Sequence, residues 1–515
     1  MSAAVDLSVT AVLGTLIGLV YWYLKHWWIE LHIGMYLPPG PRPVPFLGNA
    51  HQLGLEDQHE VFAKWEQAYG DVVYLRVFNK PTLVLNSVEA ARDLLDKRSA
   101  KYSDRPHFIL LVDMFGSDPN PALMPYGPWW RQHRVWLHSG LMEKDSLIRF
   151  QPLVRRETSK FVSALIDSPD SFILHIKRFV GGLMLEIAYG HTATSADDEL
   201  IMLADTVVRE AMDTGSLAGT LVDFFPALRY IPSWFPGGGF KRRAAWIRGM
   251  MRELYDRPYA QAKANIAKGA SKESFLTSLL ESMATDGDLT PEHEEHLKGA
   301  SIVLYTGGTD TTSTVLASFF LAMTLHPEVV RRAQDEIDRV IGNARLPDVD
   351  DRSSLPYVEC VLTEVYRWNP PLYLGVPHRL MTDDEYRHYH IPEGTVIIPN
   401  IWCMLRNPEW YPDPEAFRPE RFQEMSESDA ESRDPRKLVI CPGRKLADNT
   451  LWLAIATVLS VLDIRKAHDA DGNEITPEAA FVSGGISHPK PFLCEIRPRS
   501  QTAANLARNL CTDKS

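Results

Sequence analysis

From Leu7 to Leu24 the chain runs for 18 positions without a charge, about 27 Å of helix and enough to span a hydrocarbon core. Tyr21, Trp22, Tyr23, Trp27 and Trp28 follow around Lys25 and His26, the pattern of a membrane interface. No small-x-small cleavage pattern comes after the apolar run, which favours a retained anchor over residues 1–28 against a removed signal sequence or a buried helix. Asp6 before the span and Lys25 after it weakly set the body on the cytosolic side. Residues 29–50 contain Leu37-Pro38-Pro39-Gly40-Pro41-Arg42-Pro43-Val44-Pro45, a stiff extended linker. Between Val72 and Leu85 apolar and polar positions alternate around Asn79-Lys80-Pro81, predicting a strand hairpin. From Ser87 to about Ala322 the period is mostly helical, with turns at Asp118-Pro119-Asn120-Pro121, Pro232 to Gly239 and Asp286-Gly287-Asp288. No internal repeat or composition shift divides residues 51–499, and 500–515 reads as a tail. The expected fold is mostly α with a minor β portion, in one large domain behind a single transmembrane helix.

Composition narrows the class. Apolar residues make up 45% and aromatics 10%, enough for a sizeable core. A net charge of -12 argues against nucleic acid as the main partner. The five cysteines, Cys360, Cys403, Cys441, Cys494 and Cys511, are odd in number and lack a CxxC, against a disulfide framework or a zinc site. No phosphate loop or G-x-G-x-x-G is present, against a nucleotide held in either motif.

Several segments carry possible chemistry. In Leu438-Val439-Ile440-Cys441-Pro442-Gly443-Arg444 a cysteine precedes a helical run, Leu446 to Leu462. A helix N-terminus favours a thiolate, hence a metal ligand or nucleophile, although an inert buried cysteine has the same local pattern. Gly307-Gly308-Thr309-Asp310-Thr311-Thr312 interrupts the long apolar helix Ala300 to Leu325. Paired glycines there indicate a kink, a groove where a ligand meets the backbone, or a helix crossing through small residues. Asp310 and Thr311 would supply a carboxyl and a hydroxyl able to relay protons. Glu364 and Arg367 stand three apart on one helix face, as surface pairs usually do, and Phe417-Arg418-Pro419-Glu420-Arg421-Phe422 adds a further arginine. Trp130 and Arg134, four apart, could grip an anion. The apolar stretch Phe224 to Phe240, followed by Lys241, Arg242 and Arg243, suits membrane contact, a pocket gate or a packed connection equally. Arg387-His388-Tyr389-His390 reads as solvated and not as a metal pair.

Together and in this order, these segments resemble the cytochrome P-450 family of the microsomal, fungal type, over nearly the whole chain. The resemblance implies haem b as cofactor, with Cys441 as the axial thiolate ligand of its iron. It implies that Glu364, Arg367 and Arg421 form the structural triad of the E-x-x-R helix. Trp130 and Arg134 match the helix that holds a haem propionate, and His378 in Val376-Pro377-His378 stands where another propionate ligand often lies. Asp310 and Thr311 match the oxygen-activation segment that delivers protons. The implied activity is insertion of one oxygen atom from O2 into a hydrophobic small molecule, aromatic, terpenoid or steroid-like, in secondary metabolism or xenobiotic oxidation. Implied partners are NADPH-cytochrome P-450 reductase and membrane lipid at the endoplasmic reticulum, with the catalytic domain facing the cytosol. Arg131, Arg134, Arg436, Lys437, Arg444 and Lys445 would give the reductase a basic docking patch. Substrate would meet Pro106 to Leu123, the central helix near Tyr305, Leu372 to Val376, and Ser483 to His488.

One departure stands out. The family's haem loop reads F-x-x-G-x-R-x-C-x-G, and here those positions are Asp434, Lys437, Val439, Cys441 and Gly443. The flanks look like two sides of a normal loop without the turn between them. That turn would carry the shielding aromatic, the glycine and a propionate arginine, for which Arg436 or Lys437 is the candidate replacement. The shortened loop leaves a second reading open: a catalytically impaired relative that binds an apolar ligand without oxidising it. A haem-thiolate isomerase or dehydratase is the third, disfavoured by the retained Asp310 and Thr311.

Overall fold

The computed structural model describes residues 36–512, apart from 55, 194, 196, 213–220, 288, 439–440 and 483, together with positions 14, 18 and 21. Apart from those three positions, the anchor expected over Leu7 to Leu24 lies outside the described residues. The chain is mostly helical, and its core is organised around one 35-residue helix, Pro291–Leu325. The start of this helix is fixed by Thr290, whose hydroxyl accepts the His293 N–H at 3.2 Å, and by Pro291, which suits a first helical position. Its C-terminal part is buried on all sides, from Thr312 through Thr324, as expected of a helix through the centre of a large core. It packs along Phe172–Tyr189. Among the described residues no single helix is long and apolar enough to cross a membrane. Only the central helix together with Pro327–Val340, bent by 105°, has the composition, and the central helix is core.

Two further helices frame the site. Pro356–Trp368 carries Glu364 and Arg367, and Arg444–Val461 begins three residues after Cys441. The segment 500–515, read from sequence as a tail, contains the helix Gln501–Thr512. That helix docks on Lys144–Asp167 through buried Ala504 and Ala507, with an Arg508–Asp167 ion pair at 2.7 Å.

The larger sheet runs in the order Val72–Val77, Lys80–Leu85, Val396–Pro399, His378–Arg379. Its first hairpin turns at Phe78-Asn79, one residue earlier than the sequence indicated, with Val77 opposite Lys80. Pro81 is therefore inside a strand. It sits opposite Arg76, one residue before the parallel ladder to Val396 begins at Thr82, where its missing N–H disrupts no such ladder. Phe78 takes the left-handed conformation (φ 52°), and its ring lies 5.0 Å from Phe224 and 5.1 Å from Phe225. A three-stranded sheet joins Cys494–Pro498, Leu462–His468 and Glu474–Ile475. A two-stranded hairpin, Phe481–Val482 with His488–Pro489, lies against the central helix.

Candidate active site

The glycine pair does not break the central helix, which is continuous from Pro291 to Leu325. A Cβ on Gly308 would stand 2.8 Å from Met184 Sδ, so this glycine lets the neighbouring helix close in. Around Gly307 nothing lies within 4 Å of that position, which leaves an open face. Of the readings left open by sequence, the crossing applies at Gly308 and the groove at Gly307. Thr309 and Thr311 donate back to the Tyr305 and Gly307 carbonyls at 2.6 and 2.7 Å, satisfying hydroxyls that sit poorly inside helices. Tyr305, expected near substrate, is only 1% exposed and belongs to the core. The open face is the one through Gly307 and Thr311, two and six residues further on.

Cys441 sits where Gly443 leads into the helix Arg444–Val461. The backbone N–H groups of Gly443 and Arg444 bond to its sulfur, and the Arg134 and Arg444 cations favour its anion. Envelopment by protein outweighs these and pushes the free thiol up, although the residue keeps a solvent-accessible face. Arg134 is half-buried, lies 5.7 Å from the Trp130 ring centroid, and among the described residues has no hydrogen-bonding partner. Burial pushes its guanidinium down while Cys441 opposes the shift.

Beside Arg134 stands Arg105, which sequence reading did not single out. Its Nη1 donates to the Val376 and Pro377 carbonyls at 2.6 and 2.9 Å, but its buried Nε has no partner. Burial, then repulsion from Arg134, pushes it down to about 10. His378 completes the group. Its Nδ1 lies 2.8 Å from the Tyr102 carbonyl, and burial with nearby Arg105 lowers it to about 3. Two mutually repelling guanidiniums, one with an orphaned donor, are costly without an anion between them. This surplus of donors fits the carboxylates of a haem, and the cysteine at a helix start fits its iron.

The shortened loop does not supply the replacement cation that the sequence suggested. Arg436 is committed to carboxylates: Asp434 at 2.8 Å, Glu359 at 2.7 Å and Asp448 at 3.1 Å. Lys437 is exposed and pairs with Glu431 at 2.9 Å. Arg436 and Arg134 are both turned inward, so the expected basic patch shrinks chiefly to Arg131 and Lys445, both exposed, with Arg444 at its edge.

Glu364, Arg367 and Arg421 form a buried ionic cluster and not the solvated pair that E-x-x-R spacing usually means. Their exposures are 0%, 0% and 2%. Arg367 donates to both Glu364 oxygens at 2.7 and 2.9 Å, and Arg421 Nε to Oε1 at 3.1 Å. The remaining N–H groups reach the carbonyls of Leu405, Pro412, Asp413, Pro414 and Ala416. The guanidiniums thus pin an irregular segment that has little secondary structure of its own.

Comparison with known proteins agrees with this geometry. The family profile described as Cytochrome P450 matches residues 38–494. The chain is 47% identical to Cytochrome P450 monooxygenase 136 of Postia placenta, over 99% of this chain and 96% of that one. It is 48% identical to Cytochrome P450 monooxygenase 176 of the same organism, over 92% of each. Identity to Cytochrome P450 monooxygenase claR of Ampulloclitocybe clavipes is 38%, over 92% and 88%. The chain belongs to the cytochrome P450 family. It is an oxygen-incorporating oxidoreductase of a family that binds haem iron through a cysteine thiolate.

Proposed function

We propose that the protein is a membrane-anchored haem-thiolate monooxygenase. It would insert one oxygen atom from O2 into a hydrophobic aromatic, terpenoid or steroid-like molecule, using electrons from NADPH-cytochrome P-450 reductase. The observation that carries this reading is the convergence of Cys441, at a helix start, with the uncompensated Arg105 and Arg134. When bound, haem supplies the electron acceptance and oxygen activation that no side chain here can provide. Cys441 would hold its iron, steadied by the Gly443 and Arg444 N–H groups. Arg105, Arg134 and His378 would receive its carboxylates, with Trp130 backing Arg134. Along the Gly307 groove, Asp310 would hold and release protons, and Thr311 would present its hydroxyl oxygen after donating to Gly307. Glu364, Arg367 and Arg421 would hold the scaffold beside the cysteine.

Membrane contact is supported by an apolar surface near the linker. Phe46 (79% exposed) and Trp234 (80%) stand out among exposed apolar residues, with Leu47, Phe225, Tyr230 and Phe235. Phe78 ties the two segments together, donating its N–H to the Leu47 carbonyl while its ring meets Phe224 and Phe225. Together with the apolar run at Leu7 to Leu24 this supports a site at the endoplasmic reticulum surface. Exposed Arg131 and Lys445 would meet an acidic reductase.

The shortened loop favours the second reading, a haem-poor relative that binds an apolar ligand without oxidising it. The carbon monoxide difference spectrum of the reduced full chain decides between the two. A red-shifted, thiolate-type Soret band is expected for the monooxygenase. Absence of a haem band, or only the blue-shifted type, would overturn that reading and leave the second.

A further inference from the structure

Asp310 has one ionic partner among the described residues, and it is not an arginine or lysine. His488 Nε2 lies 3.4 Å from Asp310 Oδ1, while His488 Nδ1 lies 2.8 Å from Thr314 Oγ1. Asp310 and Thr314 are one helical turn apart, so a single imidazole bridges successive positions of one helix face. The hairpin that carries His488 is itself pinned to that face one turn further along. Ser487 Oγ donates to Asn369 Oδ1 at 2.9 Å, and Asn369 Nδ2 donates to Ser318 Oγ at 2.8 Å. Ser487 N also donates to the Pro371 carbonyl at 2.8 Å. Ser487, Asn369, Ser318 and Thr314 are all buried to 1% exposure or less. This buried polar ladder fixes the register of the hairpin and brings His488 to the carboxylate.

We propose that His488 is a positioning residue for Asp310. Its Nε2 stands within ion-pair distance of the carboxylate, and a Thr314 hydroxyl donating to Nδ1 would leave the ring proton on Nε2, the tautomer the bridge requires. Without this bridge Asp310 could swing freely across the open Gly307 face, and the proton it holds would no longer be aimed at the groove. The inference rests on the monooxygenase reading for its catalytic consequence but not for its geometry.

The test uses the full chain with 15N-labelled histidine and the variants His488→Ala, His488→Gln and Thr314→Val. The His488 ring, assigned by its absence in His488→Ala, should carry its proton on Nε2 in the parent chain and lose that preference in Thr314→Val. In reductase-driven oxygen consumption by haem-loaded protein, His488→Ala should lower the rate roughly 10-fold and raise the deuterium solvent isotope effect, as loss of an orienting group does. His488→Gln, whose amide nitrogen stands in for Nε2, should restore most of the rate, and the carbon monoxide spectrum should stay unchanged throughout. A parent ring protonated on Nδ1, or a His488→Ala variant with unaltered rate and isotope effect, would overturn the proposal. A chain that takes up no haem would overturn the monooxygenase reading instead, and the nitrogen shifts would still decide the bridge.

Discussion

Two ionic clusters, one on the E-x-x-R helix and one near Cys441, deal with positive charge in opposite ways. Around Glu364, the two guanidiniums of Arg367 and Arg421 meet one carboxylate and backbone carbonyls, so that every charge is answered inside the protein. Near Cys441, Arg105 and Arg134 repel one another, and among the described residues neither has an ion-pair partner, Asp104 offsetting the Arg105 charge only in part, while Arg436 a short way along the chain is surrounded by Asp434, Glu359 and Asp448. The first cluster is finished architecture. The second has surplus donors in one place and a fully neutralised arginine in another. A closed cluster serves the fold, whereas unanswered buried charge marks where a ligand is to supply the counter-charge.

Glu364→Ala should break this contrast most severely. It leaves two buried guanidiniums without their carboxylate, a loss of about 3–5 kcal/mol. Urea unfolding monitored by circular dichroism should show the drop, and much of the expressed chain should be insoluble. A variant with parental stability would mean that the carbonyl cage alone satisfies both arginines.

A smaller effect separates the two kinds of arginine near the cysteine. Arg105→Gln should weaken haem retention about 10-fold or more, the scale of a lost hydrogen bond to a charged group. Arg436→Gln should leave retention near parental, because its partners are protein carboxylates. Haem transfer to apomyoglobin measures both. Equal losses would show that Arg436 leaves its carboxylates when haem binds, erasing the distinction drawn here.

How much of this is legible in sequence depends on how local the cause is. Helical spacing is enough to put Glu364 and Arg367 on one face, and the motif order brings in Arg421. Burial of all three is not in that spacing, because it comes from the irregular 405–421 segment folding over them. Arg105 lies in an extended stretch without periodicity, and its significance appears only when the Val376-Pro377 carbonyls and Arg134 surround it. Arg436 looks like a spare cation until Glu359 and Asp448, distant in sequence, close on it. The hairpin from Val72 follows from alternation, but its turn moves to Phe78 because Pro81 fits a strand before parallel pairing starts. Tyr305 and Gly307 lie two residues apart, and a helix of this period sends them to different faces.

The smallest effect sharpens the comparison through pH. Burial lowers His59 to about 4, and His133 and His378 to about 3, from an ordinary value of 6.5. Groups depressed in this way contribute stability that is present in full above the unfolded value and lost as pH falls through the window from about 6.5 toward about 3, because the unfolded chain takes up protons that the folded one refuses. Only His378 of the three stands beside Arg105. A haem carboxylate placed there would favour the imidazolium, raise the folded value of His378 and remove its share of the acid sensitivity. Unfolding midpoints measured at successive pH values in this window should therefore fall less steeply for haem-loaded protein, by about one proton of the slope, than for the haem-free chain. His59 and His133, untouched by the ligand, keep their part of the slope in both forms. Identical slopes would place the carboxylates away from His378 and leave Arg105 and Arg134 as their only hosts.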